Sequence, residues 1–218
     1  MAGLDLKYLL EEPTATAISY YNKMRMIDST IMVFDLGGGT LDISIAEIKD
    51  GKFDVKSVCG DAHLGGQDFD EKIMKYVIEK IKKSFNHDML QQPTLMKRLR
   101  QVCKKAKESL SLQMESYNLN LDIDDDTIVN VKISQSNFNQ LCDDLFDRAM
   151  RMVELALRTA QISAEQIDNV ILVGGSTRIL KIQELLSDKF GQTKLRYNAN
   201  PDEAVAHGAA IIANALEV

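Results

Sequence analysis

The chain has 218 residues, is 45% hydrophobic and 27% charged, and carries a formal net charge of -6. That length can bury a sizeable core, and the excess of acidic side chains argues against nonspecific nucleic-acid binding. No apolar run approaches the roughly 18 residues that cross a bilayer, so we expect no membrane partner.

The cysteines and histidines predict neither a disulfide framework nor a zinc site. Cys59, Cys103 and Cys142 lie far apart and fit reduced thiols in a cytosolic type of protein. The three histidines lack the spacing of zinc ligands. We therefore expect a cytoplasmic location, with an organelle left open.

A run of three glycines, Gly37, Gly38 and Gly39, follows the apolar residues 31–34 and precedes an alternating pattern over residues 41–45. The pattern predicts two strands joined by a tight turn. Without Cβ atoms, backbone N–H groups can approach an anion closely. Asp35 and Asp42 flank the turn and can hold a hydrated divalent cation. The alternative is a hairpin with a flexible turn.

The middle of the chain predicts a separate unit. Asp50 and Gly51 indicate a hairpin turn between residues 43–48 and 53–58. Helices are expected near residues 68–85 and 93–112, and strands at 118–123 and 128–133. Three aspartates at 124–126 lack EF-hand spacing and are read as a solvated turn rather than a calcium loop.

A second glycine turn lies in the last third of the chain, after a predicted long helix over residues 137–160 and a capping box from Ser163 to Gln166. The apolar residues 170–173 run into Gly174, Gly175, Ser176, Thr177 and Arg178, and a helical pattern follows. A strand, a glycine turn and a helix N-terminus together favour an anion. The alternative is an ordinary loop in which Ser176 or Thr177 caps the helix. A final helix is expected to start with Asn200 as cap and Pro201 at its first position.

Six short segments match a known family in order and approximate spacing. They are residues 12–15 (EPTA), 35–42 (DLGGGTLD), 63–70 (HLGGQDFD), 98–100 (RLR), 173–178 (VGGSTR) and 200–206 (NPDEAVA). The chain resembles the nucleotide-binding domain of the DnaK-type 70-kilodalton heat-shock chaperones, mainly its second lobe.

The resemblance implies an α/β fold, a ribonuclease H-like lobe as in actin, sugar kinases and heat-shock ATPases, with an inserted α+β subdomain. Residues 1–64 and 138–218 would form the lobe core, with both termini from the base of the other lobe. Residues 65–137 would form the inserted subdomain.

The resemblance also implies ATP or ADP, magnesium and potassium as cofactors. Gly37, Gly38, Gly39 and Thr40 would hold the β- and γ-phosphates. Glu12, Asp35 and Asp42 would be the catalytic carboxylates and would organise magnesium-bound water and potassium. The remaining nucleotide contacts would come from Gly174, Gly175, Ser176, Thr177, Arg178 and Asp202. Without the resemblance, Glu12 would be read as a surface or helix-terminus acid.

One helix departs from the family pattern. The family commonly places an acid and, one turn later, a basic residue against the ribose and adenine, whereas this chain has Lys104 and Glu108. Lys107 and Ser111 fit the pattern, and Leu180 replaces the usual proline. We therefore expect altered adenosine binding.

The function implied is part of an ATP-dependent chaperone that binds and releases unfolded client peptides. Nucleotide-exchange factors would contact this lobe, and J-domain co-chaperones would act through the full-length protein. The family's first phosphate loop and essential lysine have no counterpart in these residues, so we expect little ATPase activity from the chain alone. The alternatives are a non-enzymatic module that binds exchange factors, and a sugar-kinase-like enzyme.

Overall fold

A computed structural model describes residues 9–10, 12–24, 28–50, 52–85, 92–112, 114–123, 127–197 and 203–216. The predictions made for Gly51, for residues 124–126 and for Asn200, Pro201 and Asp202 lie outside these residues. Among the helices described, none has the length and apolarity needed to cross a membrane.

The centre of the fold is a mixed five-stranded sheet with the order β3-β2-β1-β6-β7. β1 is antiparallel to β2 and parallel to β6. The strands are β1 (Ser29–Leu36), β2 (Leu41–Lys49), β3 (Lys52–Asp61), β6 (Asn169–Val173) and β7 (Leu195–Arg196). The predicted strands and the α/β class are thereby confirmed, whereas the ribonuclease H-like assignment stays a prediction.

β1 is apolar throughout its middle because both faces of the sheet are covered. Met32 and Phe34 point into the larger hydrophobic cluster, and Ile31 and Val33 point into a smaller one. A strand buried on both sides reads as a continuous apolar run instead of an alternation. The smaller cluster includes Tyr20 of helix α1 (Glu12–Met24). The last helix, α7 (Ala204–Leu216), packs on α1.

The larger cluster covers the opposite face of the sheet and continues into the middle of the chain. It joins the sheet to helices α2 (Gly66–Phe85) and α3 (Pro93–Leu110) and to the antiparallel ribbon of β4 (Ser116–Asp122) and β5 (Ile128–Ser134). These elements agree with the sequence to within two residues at most ends. Since one cluster spans residues on both sides of 64/65 and 137/138, the division into lobe core and inserted subdomain stays a prediction.

The prediction of one long helix over residues 137–160 is wrong. The chain forms α4 (Gln135–Leu141) and α5 (Asp143–Ala160), separated at the buried Cys142 with φ -106° and ψ 9°. Ser134 caps α4 by accepting a 3.1 Å hydrogen bond from the Asn137 N–H. The acidic pair that opens α5 suits a second helix start. Both helices bury their apolar faces in the same cluster, so the hydrophobic spacing did not show the break.

The capping box is confirmed at the turn that follows α5. The Ser163 N–H donates to the Gln166 side-chain oxygen at 2.9 Å, and residues 164–166 form a single 3₁₀ turn. Helix α6 (Leu180–Phe190) completes the layer on this face of the sheet.

Candidate functional site

The two glycine turns meet at one end of the sheet. Asp35 near the end of β1 is in register with Val173 at the end of β6, so the loops that follow both parallel strands leave at the same edge. The Gly37 carbonyl accepts two hydrogen bonds, from the Ser176 hydroxyl at 2.9 Å and from the Gly66 N–H at 3.0 Å. Three segments that are remote in sequence therefore join at one carbonyl.

Some glycines at this junction are required by close packing. Gly174 has φ 83°, and a Cβ on it would lie 2.3 Å from the Leu36 carbonyl oxygen. A Cβ on Gly65 would lie 2.4 Å from the Gly39 nitrogen. No real side chain tolerates such distances, so these glycines let the backbones of the loops touch.

Other glycines leave space that is open. No described atom lies within 4 Å of a Cβ built on Gly38, Gly39 or Gly175, and none of the three has a positive φ. Their backbone conformation does not require glycine. The missing side chains leave open space at the two turns, and the binding of an anion there stays a prediction.

A cleft of about 680 Å³ opens beside the junction. It brings together many of the predicted site residues: Gly37, Gly38, Lys104, Lys107, Glu108, Ser111, Gly175, Ser176 and Arg178. The other described candidates do not line it: Glu12, Asp35, Gly39, Thr40, Asp42, Gly174 and Thr177.

Several of the residues outside the cleft wall shape the two turns. The Thr40 carbonyl accepts from the Gly37 N–H at 3.0 Å and closes the first turn. The Thr177 hydroxyl donates to the Gly174 carbonyl at 2.7 Å and closes the second. The alternative in which Ser176 or Thr177 caps the next helix is wrong, because Ile179 occupies that position and a 3₁₀ turn, Gly175–Arg178, precedes α6.

The three predicted carboxylates are close enough for their charges to interact. Asp35 and Asp42 face each other directly in the β1–β2 register. Burial raises the pKa of Asp35 from 3.8 to about 6, and the negative charges of Asp42 and then Glu12 add to the increase. Such crowding is relieved by a cation. In the part of the chain that the structure describes, no three His, Cys, Asp or Glu side chains lie close enough to hold a metal directly. The resemblance implies that these carboxylates hold a hydrated magnesium ion, and this assignment stays a prediction.

Lys107 makes a buried ion pair that sequence analysis missed. Its ammonium lies 2.9 Å from the Asp70 carboxylate and donates to the Gly66 carbonyl at 2.7 Å. Burial raises the pKa of Asp70, and Lys107 opposes that increase. The lysine predicted as a nucleotide contact thus also ties α3 to the first turn of α2. The acid at position 70 was part of a recognised segment, but nothing in the sequence indicated its partner.

Comparison with known proteins identifies the family of the chain. The sequence profile of the Hsp70 protein family matches residues 1–218. The chain belongs to the Hsp70 family. It is 40% identical, over 99% of its length, to Heat shock 70 kDa protein 2 of Paracoccidioides lutzii and to a Heat shock 70 kDa protein of Penicillium citrinum, covering 33% and 43% of those proteins. It is also 40% identical, over 98% of its length, to Heat shock 70 kDa protein BIP3 of Oryza sativa, covering 32% of it. The chain therefore spans about a third to two fifths of these relatives.

Within this Hsp70-family chain, the face of α3 that lines the cleft is polar and accessible. Lys104 and Glu108 form an i,i+4 pair at 3.8 Å, with side chains 63% and 58% exposed. At that distance and exposure the attraction is only about 0.2–0.5 kcal/mol, so both charged groups remain available to a ligand.

The cleft also contains residues that the sequence did not single out as site residues: Gly66, Gln67, Asp70, Glu71, Arg100, Leu112 and Ile179. One of them could have been found from helix periodicity. Arg100 precedes Lys104 by four residues and extends the same line along the face of α3, whereas Leu112 lies beyond the end of that helix. Glu71 and Gln67 reach the cleft from α2, and no local pattern predicts that approach.

Proposed function

We propose that the chain is the nucleotide-binding second lobe of an ATP-dependent molecular chaperone, in which binding and hydrolysis of ATP drive the binding and release of peptides during protein folding. The observation that carries the proposal is the junction at the Gly37 carbonyl. It brings two open glycine turns and the cleft-lining face of α3 to one place. Membership of the Hsp70 family supports the same function.

In this proposal the two glycine turns hold the phosphates. The N–H groups at Gly38, Gly39 and Gly175 are available because no side chain shields them. Arg178 lies on the cleft wall and would offset phosphate charge, whereas the charge of Lys107 is already paired with Asp70. A bound magnesium ion would neutralise charge on the transferred phosphoryl group. Glu12, Asp35 and Asp42 would hold it through water, with potassium nearby.

We expect the 218-residue chain by itself to bind nucleotide without hydrolysing it at a meaningful rate. Phosphoryl transfer depends on positioned charges, and loss of one such group typically lowers the rate about 100- to 1000-fold. The resemblance assigns the first phosphate loop and the essential lysine to the other lobe. Nucleotide-exchange factors would bind the lobe surface, whereas J-domain co-chaperones and client peptides would act through a complete protein in the cytoplasm.

The test is a titration of the chain with ADP and Mg²⁺, followed by amide NMR, for the native sequence and for Gly38→Asp. The new side chain has room, so the fold should persist, but its carboxylate would stand where the phosphates bind. We expect shifts at residues 37–40 and 174–178 and an affinity at least about tenfold lower in the variant. Asn118→Asp adds the same charge on the exposed face of β4 and should bind as the native chain does. Equal affinities for Gly38→Asp and the native chain would refute the proposal.

A further inference from the structure

The segment between β3 and α2 connects the candidate site to helix α5. It runs from Asp61, the last residue of β3, to Gly66, the first residue of α2. Asp61 and the whole of α5, which the structure describes in full, lie outside the lining of the cleft. The segment is nevertheless held at both of its ends, by α5 at the first and by the first glycine turn at the second.

Arg148 of α5 makes the contact at the first end. One of its guanidinium nitrogens donates to the Asp61 carboxylate at 2.6 Å and to the His63 carbonyl at 3.1 Å. The Asp61 carboxylate in turn accepts from the His63 N–H at 2.9 Å. Burial raises the pKa of Asp61, but these hydrogen bonds and the charge of Arg148 outweigh burial and hold the pKa below its ordinary value. The carboxylate is therefore ionised at neutral pH, and the arginine clamps the turn by charge as well as by hydrogen bonds.

The second end of the segment is bonded to the first glycine turn. The Gly66 N–H donates to the Gly37 carbonyl at 3.0 Å, and the Gln67 N–H donates to the Gly38 carbonyl at 2.8 Å. Both donors belong to the first turn of α2, where an α-helix leaves its N–H groups without internal partners. The start of α2 therefore fixes the direction of two carbonyls in the glycine turn.

The direction of these carbonyls also sets the direction of two N–H groups. The peptides of the turn are trans. In a trans peptide, the carbonyl of one residue and the N–H of the next point in opposite directions. The N–H groups of Gly38 and Gly39 therefore point away from α2. These are two of the three N–H groups that the proposed function assigns to phosphate, so their direction depends on where α2 begins.

We propose that Arg148 is a positioning residue for the nucleotide site. By holding Asp61 and the His63 carbonyl, it keeps residues 61–65 against α5 and so places the start of α2, which orients the peptides of the glycine turn. The inference rests on the proposed function, since it assumes that N–H groups of this turn bind the phosphates. Without the arginine the turn would take several orientations, of which ADP would bind one. If that orientation makes up about one fifth of the molecules, the apparent dissociation constant rises about fivefold.

Replacement of Arg148 tests the proposal on the 218-residue chain. Arg148→Met removes the charge and keeps the aliphatic stem, and the buried Leu64 still anchors the segment, so we expect the variant to fold. In calorimetry with Mg²⁺, ADP should bind about fivefold more weakly than to the native chain. Arg148→Lys keeps the charge and a donor and should lose less. Glu154→Gln, which breaks the ion pair of α5 with Lys189 of α6, should bind ADP as the native chain does.

Amide hydrogen exchange distinguishes positioning from a general loss of stability. In Arg148→Met without nucleotide, the Gly66 and Gln67 amides should exchange faster, because their bonds to the glycine turn open more often. The amides of β1 and β6 should keep their native protection. Unchanged exchange at Gly66 and Gln67, or equally faster exchange in both strands, would overturn the inference.

The outcomes also separate this inference from the proposed function. If Arg148→Met binds ADP as tightly as the native chain, or if Glu154→Gln binds it equally weakly, the inference is wrong while the nucleotide site stands. Should Arg148→Met fail to fold, Arg148→Lys and Asp61→Asn decide the question by the same two measurements. If the native chain binds no ADP and the amides of both glycine turns are unmoved, both the site and the inference fall.

Discussion

The hydroxyl of Ser176 donates a 2.9 Å hydrogen bond to the carbonyl of Gly37, although 139 residues separate them. The bond joins the loop after β6 to the loop after β1. Both loops follow strands that are parallel neighbours in the sheet, so their contact follows from the strand order. The position of each glycine turn therefore depends on the other, and a substitution in one turn should alter the structure of both.

Two adjacent glycines in the second turn provide a matched pair of variants for measuring stability. Gly174→Ala would place a Cβ 2.3 Å from the Leu36 carbonyl oxygen and hold alanine at φ 83°. We expect the free energy of unfolding to fall by about 2 kcal/mol or more. Gly175→Ala meets open space at a negative φ and should change it by less than about 0.5 kcal/mol. Urea denaturation of both variants measures the difference, and similar losses would show that the packing at Gly174 is not what the turn requires.

Removal of the Lys107 ammonium should leave the buried Asp70 carboxylate without its ion-pair partner. Lys107→Met keeps the length of the side chain but leaves Asp70 buried without its partner, at an expected loss of about 3–5 kcal/mol at pH 7.5. Burial alone would then raise the pKa of Asp70, so the folded state would bind a proton more readily than the unfolded state. The loss should be smaller at pH 5 than at pH 7.5.

The control for this prediction is a more exposed pair. Lys72 lies 2.7 Å from Asp144, and Lys72→Met should lower the free energy of unfolding by less than about 1 kcal/mol. Chemical denaturation at the two pH values decides between the cases. A Lys107→Met loss as small as that of Lys72→Met, or one independent of pH, would contradict the role given to Asp70.

Neutralising Asp35 should stabilise the protein. The pKa of Asp35 is raised from 3.8 to about 6, so between these values the folded state binds more protons than the unfolded state, and stability falls as pH rises. Asp35→Asn removes this penalty. We expect a gain of about 1–2 kcal/mol at pH 7.5, discounted for the partial exposure of the group, and none below about pH 3.5.

Magnesium provides a second readout for the same variant. Mg²⁺ should raise the melting temperature of the native chain at pH 7.5 and have a smaller effect on Asp35→Asn, because the ion relieves the repulsion among the carboxylates. Asp122→Asn removes an equal charge from the exposed face of β4 and should respond to Mg²⁺ as the native chain does. A destabilised Asp35→Asn at pH 7.5 would mean that the charge is already compensated within the protein.

Reversing the pair on α3 should tighten the binding of adenosine nucleotides. Lys104→Glu with Glu108→Arg supplies an acid that can accept from ribose hydroxyls and a guanidinium that can lie on adenine. We expect about 1–3 kcal/mol, or roughly five- to 150-fold in the dissociation constant of ADP. The helical ion pair takes its better orientation, so stability should not fall.

Calorimetry on the chain measures that effect, with a second reversed pair as control. Lys181 and Glu184 form an exposed pair at 3.2 Å on α6, outside the cleft, and exchanging them should leave ADP affinity unchanged. If the α3 double variant binds ADP no better than the native chain, this face of α3 does not contact the adenosine.

Most strands and the glycine turns could be predicted from the sequence because their signals are local. The apolar run of residues 31–34 and the turn at residues 37–40 each follow from neighbouring residues alone. The break at Cys142 could not be predicted, since both helices keep the same buried face and the hydrophobic period continues across it.

The candidate site shows the same limit. Glycine spacing indicated the two turns, and family resemblance indicated the α3 face. The partner of Lys107 depends on how α2 packs on α3, which no short pattern encodes. The sequence likewise could not show that Gly174 serves packing while Gly175 faces the cleft. The difference arises because the Leu36 carbonyl packs against Gly174 in the folded chain, and Leu36 is remote in sequence.

The packing of α1 on α7 has a consequence for the order of folding. A Cβ on Gly208 would lie 1.7 Å from the Ala15 carbonyl oxygen, so the first and last helices touch backbone to backbone, and Ser19 and His207 also bond at 2.9 Å across 188 residues. Contacts of such sequence separation carry the largest loop-closure entropy. This pair should therefore dock after the sheet has formed and detach first as the protein unfolds. Limited proteolysis would then begin in α1 and α7 while the glycine turns are still intact.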